Sequence, residues 1–125
     1  MRALVVDDSR AARSIIKKIL EAHGCEEIFE ASSGVEGLVR LKRADCVPDL
    51  VLVDWHMPEM DGLEFVKRVR SDDTYDGAIV MMVTSETDMG MLTEALEAGA
   101  NEYLMKPFVQ EGLLDKLSLL GVLSE

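Results

Sequence analysis

Four apolar runs, rich in β-branched residues, punctuate the chain: Ala3–Val6, Leu50–Val53, Ile79–Val83 and Tyr103–Met105. Each stops on a polar residue, and between the runs the apolar positions change to helical spacing. Ser9 can cap a helix reaching about Ala22, in which Ile15, Ile16, Ile19 and Leu20 form an i, i+1, i+4, i+5 stripe. Gly24 ends it. A short strand near Glu26–Glu30 leads to a second helix from about Ser33 to Ala44, carrying Val35, Leu38, Val39 and Leu41, and Pro48 separates that helix from the third strand. A third helix follows Asp61-Gly62 with Leu63, Val66 and Val69 inward, and Ser71–Gly77 reads as a polar turn. A fourth runs from about Asp88 to Ala98 and is closed by Gly99, and a last one runs from about Val109 to Leu120. Gly90 makes the fourth helix easier to shift, since Gly in a helix interior costs about 1 kcal/mol against Ala.

Five strands thus alternate with five helices. Strands apolar throughout, rather than at every second position, predict a parallel sheet covered on both faces and joined by right-handed crossovers. The expected class is α/β, one domain over residues 1–125, with no internal repeat and no effector domain after Leu120.

Composition narrows the function. A 125-residue chain buries roughly two thirds of its unfolded surface in one core, and at 48% apolar this one needs no linker or disordered tract. The first strand begins directly after Met1-Arg2, so no signal peptide is expected, and no apolar run approaches the ~20 residues that span a bilayer. A cytoplasmic location follows as the expectation, with Cys25 and Cys46 as reduced thiols outside any CxxC or metal-ligand spacing. The net charge of −11 repels phosphate backbones, which argues against nucleic-acid binding.

The residues at the stops carry the chemistry: Asp7-Asp8, Asp54, Thr84 and Lys106. Burying three acids, a hydroxyl and an ammonium separately is costly, so a shared polar site explains them better. In open parallel sheets ligands bind beyond the carboxyl ends of the strands where the strand order reverses, which for the common 2-1-3-4-5 order lies between the first and third strands. Those are the strands that end in Asp7-Asp8 and Asp54. Carboxylates so close repel one another unless one is protonated or a hard cation sits among them, and Mg²⁺ suits one or two carboxylates plus phosphate oxygens. Lys106 would pair with an anion, and Thr84 can donate to it.

The stretches VVDDSR (Val5–Arg10), DLVLVDWHMPEMDG (Asp49–Gly62), MMVTSE (Met81–Glu86) and AGANEYLMKPF (Ala98–Phe108) resemble, in order and spacing, the receiver domain of two-component response regulators of the CheY-like kind. The resemblance implies a flavodoxin-like sandwich and a Mg²⁺-dependent transfer of a phosphoryl group from a histidine kinase's phosphohistidine to Asp54. It implies that Asp8, Asp54 and the backbone carbonyl of His56 ligate the metal, with Asp7 acting through a water, and that Lys106 and Thr84 hold phosphoryl oxygens. It also implies a cis Lys106-Pro107 bond, a Thr84/Tyr103 switch, and tuning of phosphate lifetime by His56 and Glu86, with His56 departing from the family's commoner polar choice.

No activity beyond its own phosphorylation and dephosphorylation is expected of such a chain. Its partners would be a kinase and a downstream target, a motor switch or a phosphotransfer protein, reached through the fourth helix, fifth strand and fifth helix; a monomer without membrane insertion is expected. Chemotaxis is the preferred pathway, with a relay intermediate or phosphate sink next. A different class, a phosphate-independent pseudo-receiver, usually lacks an acid or the lysine, whereas all of them are present here. An Asp-nucleophile phosphatase needs a second acid where His56 stands. Met89 and Met91 are candidates for partner contact, and Arg10 and Arg13 for kinase docking against a default of solvated helix surface.

Overall fold

The computed structural model describes residues 1–43 and 47–122. Five strands, β1 (Arg2–Val6), β2 (Glu27–Ala31), β3 (Leu50–Val53), β4 (Ile79–Thr84) and β5 (Glu102–Met105), form one sheet in the order β2-β1-β3-β4-β5, every neighbouring pair parallel. The helices are α1 (Arg10–Ala22), α2 (Gly34–Arg43), α3 (Gly62–Arg70), α4 (Met89–Ala98) and α5 (Gln110–Leu119). The expected class, strand order and element count all hold.

The continuous apolar runs are explained by two cores. Leu4, Val6, Val51, Val53, Val80 and Met82 point to one face of the sheet, where they meet Leu41 of α2, Phe65, Val66 and Val69 of α3, and Ala95 of α4. The alternate residues Ala3, Val5, Leu50, Leu52, Met81 and Val83 point to the other, against Ile16, Ile19 and Leu20 of α1 and Leu113 and Leu117 of α5. A strand clamped between helices on both faces has no polar side, which is why period-two alternation is missing from the sequence.

Several local expectations need correction. Ile15 does not belong to the buried stripe of α1: it is 55% exposed, because Ile16, Ile19 and Leu20 already fill the groove against the sheet. Val35 and Val39 likewise face outward on α2, whereas Leu41 is buried. On α3 Val66 and Val69 are buried as expected, but Phe65 is fully buried beside them and Leu63 is only partly covered. The second strand lies one residue later than expected, since its register pairs Ala31 with Val6. Within Ser71–Gly77 a 3-10 turn, Asp73–Tyr75, buries Tyr75. Gly90 sits in the first turn of α4, not its interior, so it costs that helix less than an interior glycine would. The expected end of the second helix at Ala44, and Cys46, lie outside the described residues. Cys25 is buried and free, its thiol pushed up by burial, and donates weakly to the carbonyls of Met1 and Glu27.

Candidate functional site

The sheet's own hydrogen-bond ladder delivers three of the polar residues to one end. The Asp7 amide donates to the carbonyl of Ala31 (3.1 Å), that of Asp54 to Val6 (3.0 Å) and that of Lys106 to Thr84 (2.9 Å). Each of these residues follows its strand directly, so β1, β3 and β5 hand over side chains whose backbones are still held in register. Thr84 is the last residue of β4 and is fully buried.

Asp7, Asp8 and Asp54 each present a carboxylate oxygen, and the three oxygens lie within 4.8 Å of one another. Their exposures differ: Asp7 is buried, Asp54 half-buried and Asp8 exposed. One oxygen of Asp7 accepts from the Ser9 amide (2.8 Å) while the other meets the Lys106 ammonium at 2.7 Å. Asp54 is arranged in the same way, with one oxygen on the Trp55 amide (2.7 Å) and the other 3.4 Å from Lys106. Burial works to lower the affinity of Lys106 for its proton, but the hydrogen bond to Asp7 and the charges of Asp54 and Asp7 outweigh it, so the ammonium is held more firmly than in a free lysine. The Lys106-Pro107 bond is cis, as the resemblance implies.

Three hard carboxylate donors around one small volume fit a divalent cation with oxygen preference, Mg²⁺ above all. The exposed Asp8 leaves the water side of that volume open. The close approach that shapes it from behind requires Gly62: a Cβ there would come within 2.3 Å of the Asp54 carbonyl and 2.8 Å of the Met82 methyl.

Around the mouth, the His56 ring lies outward, with its Nε2 2.9 Å from a carboxylate oxygen of Glu86. The other Glu86 oxygen accepts from the amides of Thr87 (3.1 Å) and Asp88 (2.9 Å). The Asp88 amide first, and His56 next, hold the Glu86 carboxyl below its ordinary range. The Thr84 hydroxyl oxygen accepts from the Glu86 amide (3.1 Å), so the β4–α4 loop is tied both to His56 and to Thr84. Asp88, not Thr84, caps α4. Tyr103, on β5, is half-buried with the Lys116 ammonium 5.4 Å from its ring centre.

One contributor carries no clear signal in the sequence. Arg13 turns inward rather than lying on a solvated face: its guanidinium donates to the Asp7 carbonyl (2.5 Å) and to Glu30 (3.2 Å), pinning the loop that carries Asp7 and Asp8. The only hint was its place one helical turn after Ser9. Arg10 remains exposed. Beside Lys106, residues Ala12, Ile15, Ser85, Pro107 and Phe108 line an apolar groove of about 360 Å³.

Comparison with known proteins agrees with the fold. Residues 3–118 match the response regulator receiver domain. The chain is 42% identical over 119 residues to the chemotaxis protein CheY1 of Helicobacter pylori, covering 95% of each. It is 44% identical over 117 residues to the chemotaxis protein CheY homolog of Campylobacter jejuni, covering 94% of this chain and 89% of that protein. Among solved structures, the chemotaxis response regulator CheY4 of Vibrio cholerae superposes with a TM-score of 0.87 at 35% identity, covering 95% of this chain and 97% of the other.

Proposed function

The chain belongs to the family of response regulator receiver domains, and from that premise we propose that it accepts a phosphoryl group on Asp54 and signals its presence to another protein. One observation carries the reading: Asp7, Asp8 and Asp54 converge within 4.8 Å, with a single ammonium, Lys106, between Asp7 and Asp54. In this reading residues 1–125 act as one receiver domain in the cytoplasm as a monomer. Among the described residues no helix is long and apolar enough to cross a membrane.

Asp8, Asp54 and the His56 carbonyl would hold Mg²⁺, with Asp7 acting through a water. When bound, the ion supplies positive charge that offsets the clustered carboxylates and the incoming phosphoryl oxygens. Asp54 is the nucleophile. A carboxylate oxygen bonds to phosphorus as the bond from phosphorus to the donor's imidazole nitrogen breaks, leaving its electron pair on the imidazole and an acyl phosphate on Asp54. The Trp55 amide orients the attacking carboxylate through its second oxygen. Lys106, now between two carboxylates, has only a short distance to travel to pair with the new phosphoryl oxygens. Arg13 and the Ser9 amide keep Asp7 in place during that shift.

Thr84 supplies the readout. Its hydroxyl oxygen is occupied by the Glu86 amide, which leaves the hydroxyl proton available to a phosphoryl oxygen. Moving toward that oxygen vacates space that Tyr103 fills from an outward rotamer, and the α4–β5–α5 face changes with it. His56 and Glu86, joined across the mouth, govern the approach of the water that ends the signal. The phosphodonor is a histidine kinase and the receiving protein a motor switch or phosphotransfer protein. Chemotaxis is the favoured pathway because the similar curated proteins carry that role in their names.

Trp55 is the only tryptophan and adjoins the acceptor, so its fluorescence tests the proposal. Mg²⁺ followed by beryllofluoride is expected to change the emission in two steps, the second lost in Asp54→Asn. A protein silent to both additions contradicts the reading.

A further inference from the structure

We propose that Glu30, on the edge strand β2, is a positioning residue for the metal site, acting through Arg13 to aim Asp8. The inference rests on the receiver reading above and adds a determinant of Mg²⁺ affinity that lies outside the three acids and Lys106.

Glu30 is an acid on an otherwise apolar side of its strand. Side chains alternate along β2, so Phe29 and Ala31 turn to the core shared with α2 and α3, while Ile28 and Glu30 turn to the side of α1. Its neighbour across the ladder in β1 is Val5, which is buried. Glu30 is thus partly withdrawn from water, with its side chain 34% exposed, and two cations of α1 meet it there. Arg13 Nε donates to one carboxylate oxygen at 3.2 Å, and the Lys17 ammonium lies 3.6 Å from the other.

Arg13 stands at an unfavourable place for a cation. It lies in the first turn of α1, whose free amides make that end positive, and no acid of α1 shares the turn. Helices α2 and α3 instead keep their arginines and lysines in the last turn, where the dipole favours them. With only 14% of its side chain exposed, Arg13 also loses most of its hydration. Glu30 offsets both costs. It cancels the Arg13 charge beside Asp7 and Asp8 as well, so the guanidinium brings its donors to the site without a net charge that would compete with a metal.

What Arg13 grips is the Asp7 carbonyl, which accepts from its Nη1. That carbonyl and the Asp8 amide belong to one planar peptide unit, so holding the oxygen fixes the plane from which Asp8 departs. Asp8 is exposed, and its aim depends on the backbone that carries it. On the other side, the Asp7 amide donates to the carbonyl of Ala31, the residue after Glu30. Adjacent residues of β2 therefore hold both backbone ends of Asp7, one directly and one through Arg13. A planar guanidinium meets the Asp7 carbonyl and Glu30 at once with a fixed angle between its donors, whereas a lysine ammonium has the charge without that fork.

Mg²⁺ titration of the full chain, followed by Trp55 emission, tests this. Glu30→Gln, which keeps the size of the side chain, and Arg13→Met are each expected to raise the Mg²⁺ dissociation constant about tenfold. The double variant is expected to bind no more weakly than either single one, because Glu30 acts through Arg13. Arg13→Lys is expected to be as weak as Arg13→Met. Lys17→Met, which leaves Arg13 on the Asp7 carbonyl, is expected to stay within about twofold of the parent. Urea midpoints in chelator are measured in parallel, since an ion pair that only stabilises the fold lowers the midpoint and leaves Mg²⁺ affinity unchanged. Tighter Mg²⁺ binding in Arg13→Met, unchanged affinity in Glu30→Gln, additive losses in the double variant, or full rescue by Arg13→Lys would overturn the proposal. A parent silent to Mg²⁺ overturns the receiver reading together with it, whereas a responding parent with indifferent variants overturns the proposal alone.

Discussion

The ammonium of Lys106 lies 2.7 Å from the carboxylate of Asp7, a residue 99 positions earlier in the chain. The Asp7 side chain is only 3% exposed, and among the described residues Lys106 is its sole charged partner within hydrogen-bond distance. Lys106→Met therefore strands a buried carboxylate on the Ser9 amide alone. Breaking a fully buried pair costs about 3–5 kcal/mol, and the partial exposure of Lys106 reduces that to about 1–3 kcal/mol. Urea unfolding in the presence of a chelator measures it. Mg²⁺ is expected to stabilise the variant more than the parent, because the cation that competes for the carboxylates is gone.

Two titrations set the pH limits of this arrangement. Lys106 binds its proton more firmly in the folded protein than at the ordinary value of 10.5, so its contribution is present below that pH and is lost as pH rises through the higher folded value. Glu86 behaves in the opposite sense: its carboxyl is depressed from 4.5, so its contribution is present above that pH and is lost as pH falls through the lower folded value. Lys106→Met is expected to flatten the alkaline limb of the stability profile and Glu86→Gln the acid limb. Thermal melts across the two ranges check both.

Gly62 and Gly77 should respond oppositely to the same change. A methyl at Gly62 runs into the Asp54 carbonyl, the Met82 side chain and the Trp55 Cα, two of them rigid backbone atoms. Gly62→Ala is expected to cost about 3 kcal/mol or more and to displace the acceptor loop. At Gly77 nothing lies within 4 Å, and alanine there is expected to be neutral or to stabilise by about 0.4–1 kcal/mol. Denaturant midpoints of the two variants decide it.

His56→Asn shortens the side chain that meets Glu86 at the mouth and leaves the three acids in place. Dephosphorylation is expected to change several-fold while phosphorylation by a small donor changes less. Stopped-flow Trp55 fluorescence resolves the two rates, and equal effects on both count against His56 as a residue that governs water approach.

The sequence made the sheet and its polar end legible because both rest on short-range pattern. An apolar strand followed by Asp, Thr or Lys is visible locally, and the strand order brings those ends together. It was less informative where packing chooses among equivalent candidates. Helical spacing could not tell Ile15 from Ile16, since the sheet accepts one flank of α1 and leaves the next residue outside. Arg13 was hidden for a related reason: an arginine in a first turn is ordinarily solvated, and only the fold sets Glu30 and the Asp7 carbonyl within its reach. The link from Glu86 to His56 spans 30 residues and depends on β3 and β4 being neighbours. Such contacts follow from topology, so they appear only once the strands are ordered.

The central claim is that Asp54 takes the phosphoryl group. Protein incubated with Mg²⁺ and acetyl phosphate, then reduced with borohydride, converts an aspartyl phosphate to homoserine, which peptide mass spectrometry locates. Homoserine at position 54, dependent on Mg²⁺ and strongly reduced in Lys106→Met, is the predicted result; its appearance at Asp7 or Asp8 instead, or at no acid, would contradict the account.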